Sequence, residues 1–410
     1  MKRRLITLMT ILNVCILTTG CWDRVELKDL ALVMATGIDS AQGGSEKSIR
    51  VTAEVANPGG IAGGGGGGQG GAGGGGGQRA FVTASGQGIN IKDAEQKLQE
   101  QFSRRLYTAH RRVVVIGEDA ARRGIREMLD QLGRDPLNRL QVYILIAKGS
   151  TAHEILQTQS TLERIPGQEL RKLIEQGTGV KITMLDFLIT AVDEGIDPIA
   201  GAVELAQGSG MTQSTGEKSE ARQPFLLSST AMFKDFKLQG YLNDEETRGL
   251  LWVRGETETG YITAPLPKQQ GNVSVFLSRM SARLHPVIQR GRVVRMDVNL
   301  EGEGEVVEND TSLNLGTQEN IELVNRACSE QVRDYVQRAV DKAKENDCDI
   351  FGFGREVYRT NPRVWMRIRG QWDDLFKTLP VQVNVSIHAL RPGGATEPLH
   401  LKETVEREAP

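Results

Sequence analysis

The chain has no long hydrophobic run. Its longest uncharged apolar stretch, Leu5 to Leu17, is thirteen residues, short of the roughly 20 needed to cross a bilayer as a helix. Histidine is sparse: His110, His153, His285, His388 and His400 are scattered, with no pair at metal-ligand spacing, so no metal is expected. His153-Glu154 lacks the second histidine of a zinc-protease helix, and no G-x-S-x-G elbow occurs. No constellation of residue types points to catalysis, and no cofactor is expected. Neither sign of charge dominates: 50 Lys and Arg against 52 Asp and Glu give a formal charge of −2, which argues against nucleic acid as a partner. Only four cysteines are present, too few for a disulfide scaffold.

What is present begins with the N-terminus. Lys2, Arg3 and Arg4, the apolar run, and "TTGCWDR" follow the grammar of an export signal ending at a cysteine. Asp23, Arg24 and Glu26 stop the run just after Cys21. The pattern is that of a lipoprotein signal in which Cys21 is acylated and becomes the mature N-terminus. Thr18 stands where such signals usually carry leucine, with Leu17 one residue earlier. One acyl chain binds a membrane only marginally, so stable anchoring needs further chains or a second contact. Loss of the three signal cations takes the formal charge from −2 to −5. Cys15 leaves with the signal, so only Cys328 and Cys348 remain to pair. The apolar spacing of Ile321, Val324, Cys328, Val332, Tyr335, Ala339 and Ala343 predicts one amphipathic helix from Thr317 to Asn346. Twenty residues of helix separate the two thiols by about 30 Å, beyond the ~7 Å that a bridge allows between Cα atoms.

Asn57 to Gln78 is a glycine-rich stretch unable to bury apolar surface. It lies between "IRVTAEVA" and "RAFVTASG", which alternate as strands do, and reads as an overgrown loop between neighbours. Next come helix "INIKDAEQKLQEQFSR", strand "RRVVVIG", helix "EDAARRGIREMLDQLG" with a glycine stop, and strand "LQVYILIAKG", an α/β layer. Gly86-Gln87-Gly88 lacks the third glycine of a dinucleotide fingerprint, Ile91 standing in its place. After a Gly/Ser/Thr/Gln-rich linker, "LLSSTAMFK" and "FKLQGYL" form a strand pair, and Asn243 with Glu246 caps a helix. Two long strands turn at Gly291. Then come the long helix, "NPRVWMRIRGQWDDLF" as a second helix, and the strand "VQVNVSIHAL". Asp297, Asn299, Glu301, Gly302 and Glu308 match calcium-loop spacing, but they sit in a strand pattern rather than between helices. The expected class is mixed α+β and multidomain: signal 1–20, N-terminal α/β domain 21–206 with its 58–78 glycine loop, linker 207–222, middle segment 223–272, C-terminal α+β domain 273–395 and tail 396–410.

Arg104, Arg105, His110, Arg111, Arg112, Arg122, Arg123 and Arg126 concentrate positive charge, either as a solvated face or toward anionic lipid or an acidic partner. In "DIFGFG", Gly352 and Gly354 permit a tight backbone while Phe351 and Phe353 fill a core. Trp365 and Trp372, seven apart, are expected on one helix face, packed in the core.

"GCWDRVELKDLALVMATGID", "HRRVVVIGEDAARRGIREMLDQLGRDP", "GYLNDEETRGLLWV" and "DIFGFGREVYRTNPRVWMRIRGQWDDLF" together resemble the Ger(x)C family of spore germination lipoproteins, the C subunits of nutrient germinant receptors. The likeness runs in order from Gly20 to about Gly393. It implies a non-enzymatic protein of three mixed α/β domains, lipid-anchored through Cys21 on the outer face of the spore inner membrane beside membrane-embedded A and B subunits. The alternative from another class is an extracytoplasmic substrate-binding lipoprotein of a transporter, which should show two similar α/β lobes around a cleft.

Overall fold

The computed structural model describes Arg3 and residues 26–41, 48–59, 79–159, 162–177, 179–206, 211–212, 221–222, 225–257 and 259–391. The signal apart from Arg3, Cys21, nearly all of the glycine-rich stretch and the tail lie outside the described residues. In chain order the strands are β1 (Leu30–Ser40), β2 (Ile49–Ala56), β3 (Phe81–Gly88), β4 (Arg105–Tyr107), β5 (Val113–Gly117), β6 (Tyr143–Ala147), β7 (Ile199–Leu205), the short β8 (Met211–Thr212) and β9 (Ala221–Arg222), β10 (Phe225–Lys234), β11 (Lys237–Leu242), β12 (Gly260–Leu266), β13 (Gly271–Gln289), β14 (Arg292–Asn309) and β15 (Val381–Arg391). The helices are α1 (Ile91–Gln99), α2 (Glu118–Arg123), α3 (Arg126–Arg134), α4 (Ala152–Gln157), α5 (Pro166–Glu175), α6 (Met184–Val192), α7 (Asp244–Arg254), α8 (Gln318–Glu345), α9 (Phe353–Thr360), α10 (Pro362–Ile368) and α11 (Trp372–Thr378).

A nine-stranded sheet runs β11-β10-β7-β6-β5-β1-β2-β3, with β4 on the start of β1. Its centre, β1, β5, β6 and β7, is parallel, and antiparallel hairpins extend both flanks. Strands buried on both faces need apolar residues at every position, and "VVVIG" of β5 is buried throughout. Successive side chains point to opposite faces. Val114, Ile116, Ile144 and Ile146 therefore pack with α2 and α3, while Val113, Val115, Leu145 and Ala147 pack with α4 and α5. β2 and β3 pair from Ile49↔Gly88 to Ala56↔Phe81, so the glycine-rich stretch joins neighbouring antiparallel strands. Gly86 and Gly88 lie at the end of β3. A Cβ on them would come within 2.1 and 2.4 Å of the α1 backbone at Ala94, so they permit close helix–strand approach.

The second sheet runs β12-β13-β14-β15. β13 and β14 form the long hairpin, turning at Arg290 (φ 50°) and Gly291 (φ 72°). One face, with Met296, Val298, Leu300 and Val306 buried, lies under α8. α8 is the expected amphipathic helix, capped by Thr317 and ending at Asn346, with Val324, Cys328, Val332, Tyr335, Ala339 and Ala343 inside. Cys328 and Cys348 are both free and buried. α7 carries the Asn243–Glu246 capping box and stops at Gly255 in the left-handed region. Its Trp252 stacks on Tyr335 of α8, 6.3 Å between ring centres.

Two helix expectations need correction. "EDAARRGIREMLDQLG" is two helices, broken at Gly124, whose φ of 121° no helix accommodates; the second passes through Gly133 to Arg134. "NPRVWMRIRGQWDDLF" is likewise α10 and α11 with a single 3-10 turn between them. The middle segment divides between the sheets: β10 and β11 extend the large one, and β12 edges the small one. One hydrophobic core reaches from Ile116 and Phe233 to Val298 and Phe376.

Candidate functional site

A dense polar arrangement lies where the loop before β7 meets the segment between α8 and α11. Gly195 (φ 86°) faces Gly354: a Cβ on Gly354 would stand 2.7 Å from Gly195 Cα and 2.8 Å from Trp365. Only two glycines let these backbones touch, and the Arg355 N–H then donates to the Gly195 carbonyl at 2.8 Å. Asp197 and Asp349 clasp reciprocally. The Asp197 N–H donates to the Asp349 carbonyl (2.9 Å), and the Asp349 N–H donates to the Asp197 carboxylate (2.7 Å). The Asp349 carboxylate accepts from the N–H groups of Gly352 (2.9 Å), Phe353 (3.0 Å) and Gly354 (2.8 Å) and from Trp372 Nε1 (3.0 Å). "DIFGFG" is thus a backbone nest closed around its own first side chain.

Burial pushes the Asp349 carboxyl up to about 6 against the pull of those four donors. Burial likewise lifts Asp197 to about 7, opposed chiefly by Lys234. Lys234 Nζ sits among Asp373 (2.8 Å), Asp347 (3.7 Å) and Asp197 (4.0 Å). Burial disfavours its charge, but these carboxylates outweigh burial and raise its pKa. Beside the clasp is a cavity of about 440 Å³ lined by Gly195, Asp197, Lys234, Trp365, Arg369 and Asp373, among others. Every oxygen of Asp349 is occupied by a protein donor, so this residue joins two parts of the chain.

The expected site residues are dispersed. Cys21 lies outside the described residues. Of the basic cluster, Arg111 is buried, donating to Thr36 Oγ1 (3.2 Å) and Asn138 Oδ1 (3.0 Å), and burial lowers it to about 10. Arg122 pairs with Glu118 at 2.6 Å, and Arg126 stacks over Phe236. Arg104, Arg105, His110 and Arg112 remain exposed. Trp365 and Trp372 are buried, as expected, but on separate helices, meeting edge to face at 5.5 Å. The calcium-like residues lie along β14, where Asp297 binds Arg295 at 2.6 Å. Among the described residues no group of His, Cys, Asp or Glu is placed to hold a metal.

One polar cluster escaped the sequence because it draws on four elements. His153 Nδ1 on α4 is 3.1 Å from Ser85 Oγ on β3 and 3.2 Å from Thr52 Oγ1 on β2. Asp39 of β1 accepts from the backbone N–H groups of Ala152 and His153, not from the imidazole, so it does not orient the ring as the acid of a catalytic triad does.

Residues 23–205 match the family described as spore germination protein N-terminal domain, and residues 228–393 match spore germination B3/GerAC like, C-terminal. The chain belongs to the Ger(x)C family of spore germination proteins. It is 28% identical to spore germination protein KC of Bacillus subtilis (strain 168), over 97% of this chain and 98% of the relative. Spore germination protein YndF of the same strain is also 28% identical, over 94% and 96%. The fold is similar to the crystal structure of the GerBC protein (TM-score 0.53, 16% identity), over 87% of this chain and 98% of that one. The Asp197–Asp349 clasp and the Gly195–Gly354 contact join the two matched regions.

Proposed function

We propose that this protein is the lipid-anchored, non-enzymatic C subunit of a nutrient germinant receptor, held by acylated Cys21 on the outer face of the spore inner membrane and assembling with membrane-embedded A and B subunits. The observation that carries the reading is the ordered match of both family domains over nearly the whole mature chain, behind a sequence with the grammar of a lipoprotein signal. The clasped junction supports it: the Asp197–Asp349 hydrogen bonds fix one half of the molecule on the other, as a scaffold subunit needs. A tether raises the local concentration of such a domain beside membrane partners, so modest interface affinity suffices. The importer-lipoprotein alternative expects two similar lobes; here a nine-stranded mixed sheet adjoins a four-stranded one under a single long helix.

The test uses a strain deleted for all other germinant receptors and complemented with the cognate A and B subunits, with or without this chain. Nutrient-triggered germination should depend on it, with sporulation unaffected. Equal germination in both strains rejects the assignment.

A further inference from the structure

Parallel strands begin on the same edge of their sheet, so β1, β5, β6 and β7 define an edge where all four start. Ala35 of β1 is level with Val113 of β5, which is level with Tyr143 of β6. β1 projects beyond that level to Leu30, paired with Arg105. Cys21 precedes Leu30 by nine residues, which fully extended reach at most about 30 Å. An acylated Cys21 would therefore tether the molecule from the edge at which β1 starts.

The edge has an unusual surface. Arg104 and Arg105 lie beside the projecting start of β1, Arg112 immediately precedes β5 with its N–H bonded to the Met34 carbonyl, and Arg139 precedes β6. All four are exposed, and none of their guanidinium groups has an ion pair among the described residues. Nearby acids are mostly engaged: Glu26 with Lys28, Asp135 with Lys92, Asp193 with Arg355 and Glu194 with Arg369. Asp29 and Glu100 have no ion pair among the described residues, and Asp186 at the start of α6 bonds Thr183 rather than a cation. α6 crosses the same edge, its first N–H groups donating to the carbonyls of Val142 and Leu140. Its Met184 and Phe187 are buried, while Ile189 and Val192 remain 56% and 76% exposed. Four exposed arginines without ion pairs among the described residues, with exposed aliphatics on α6, form a basic patch complementary to an anionic interface in a mature chain of net charge −5. Each basic group near such a surface favours binding about five-fold.

We propose that this edge is a second membrane contact, docking on anionic phospholipid headgroups through Arg104, Arg105, Arg112 and Arg139 with Ile189 and Val192 at the acyl boundary. It rests on the anchored-subunit reading for its orientation, and it supplies the second contact that a weak lipid anchor needs.

The test removes the anchor. The mature chain starting at residue 21 and carrying Cys21→Ala is sedimented with phosphatidylcholine vesicles containing or lacking phosphatidylglycerol. Binding should require phosphatidylglycerol and weaken as salt rises. The quadruple Arg→Gln variant at 104, 105, 112 and 139 should lose at least about 100-fold in partitioning, while Arg326→Gln with Arg333→Gln on α8 changes nothing. If circular dichroism shows the quadruple variant unfolded, Ile189→Ser with Val192→Ser carries the test and should weaken binding at every salt concentration. Indifference to phosphatidylglycerol, or full binding by the folded variants, overturns the proposal and leaves an acidic protein as the partner of this edge. Mass spectrometry of Cys21 judges the anchored-subunit reading separately, since an acylated protein whose bare chain ignores anionic vesicles refutes only the surface.

Discussion

Asp349 and Asp197 are carboxyl groups made expensive to ionise by their burial, and Glu54 is a third. Glu54 is fully buried on β2, accepts from the Gly167 N–H (3.1 Å to each oxygen), and is raised by burial to about 8. The linkage sign follows from proton counts. Between the ordinary carboxylate values near 4 and the folded values of about 6, 7 and 8, the folded state holds protons that the unfolded chain has released. Stability is therefore highest below that interval and is lost as pH rises through it, by about 1.4 kcal/mol per pH unit for each such group. The melting temperature should fall by several degrees between pH 5 and pH 8, and Glu54→Gln should flatten the upper part of the slope. A melting temperature that rises over this range contradicts the assignment of these groups.

At the scale of elements, the glycine-rich stretch connects strands already held by an unbroken ladder from Ile49 to Ala56. Loop-closure cost grows only slowly with length. Deleting Gly60 to Gly77 should therefore leave the melting temperature within a few degrees of the parent, read by circular dichroism; a large drop shows that the segment packs. Local patterns announced several elements correctly. "IRVTAEVA" is β2, the Thr317–Asn346 periodicity is α8, and Gly291 turns the long hairpin, because period and capping are encoded in neighbouring residues. The break at Gly124 was hidden, since apolar residues keep helical spacing across a glycine whose positive φ only the fold reveals. The separation of Trp365 from Trp372 was hidden in the same way by a 3-10 turn that preserves the count. The Asp197–Asp349 clasp was illegible: its partners are 152 positions apart, and nothing local marks Asp349 among the many carboxylates.

For the whole molecule, the proposed anchor would decide where everything else operates. The mature protein should begin at an acylated Cys21, and Cys21→Ala should either release it from spore membranes or leave it uncleaved, as fractionation and mass spectrometry of the N-terminus will show. An unmodified N-terminus elsewhere removes the tether from the account. The family and mixed α+β class could be read from ordered motifs. The division of the chain between sheets could not, because strand order is settled by long-range pairing rather than by the pattern within any strand.

That sharing of strands bears on how such proteins diversify. β10 and β11 fall mostly within the C-terminal family match yet complete the N-terminal sheet beside β7. A crossover between paralogous genes placed in the 206–227 interval would leave each hybrid with β7 from one parent facing β10 from the other, along a ladder in which Ala200 pairs with Ala231 and Gly201 with Thr230. A seam at Asn243, ahead of α7, keeps that sheet intact. In this chain the sheet boundary is thus offset from the boundary between the two matched regions, so a hybrid joined at Asn243 should fold more stably than one joined within 206–227, as thermal melts of the two hybrids would show.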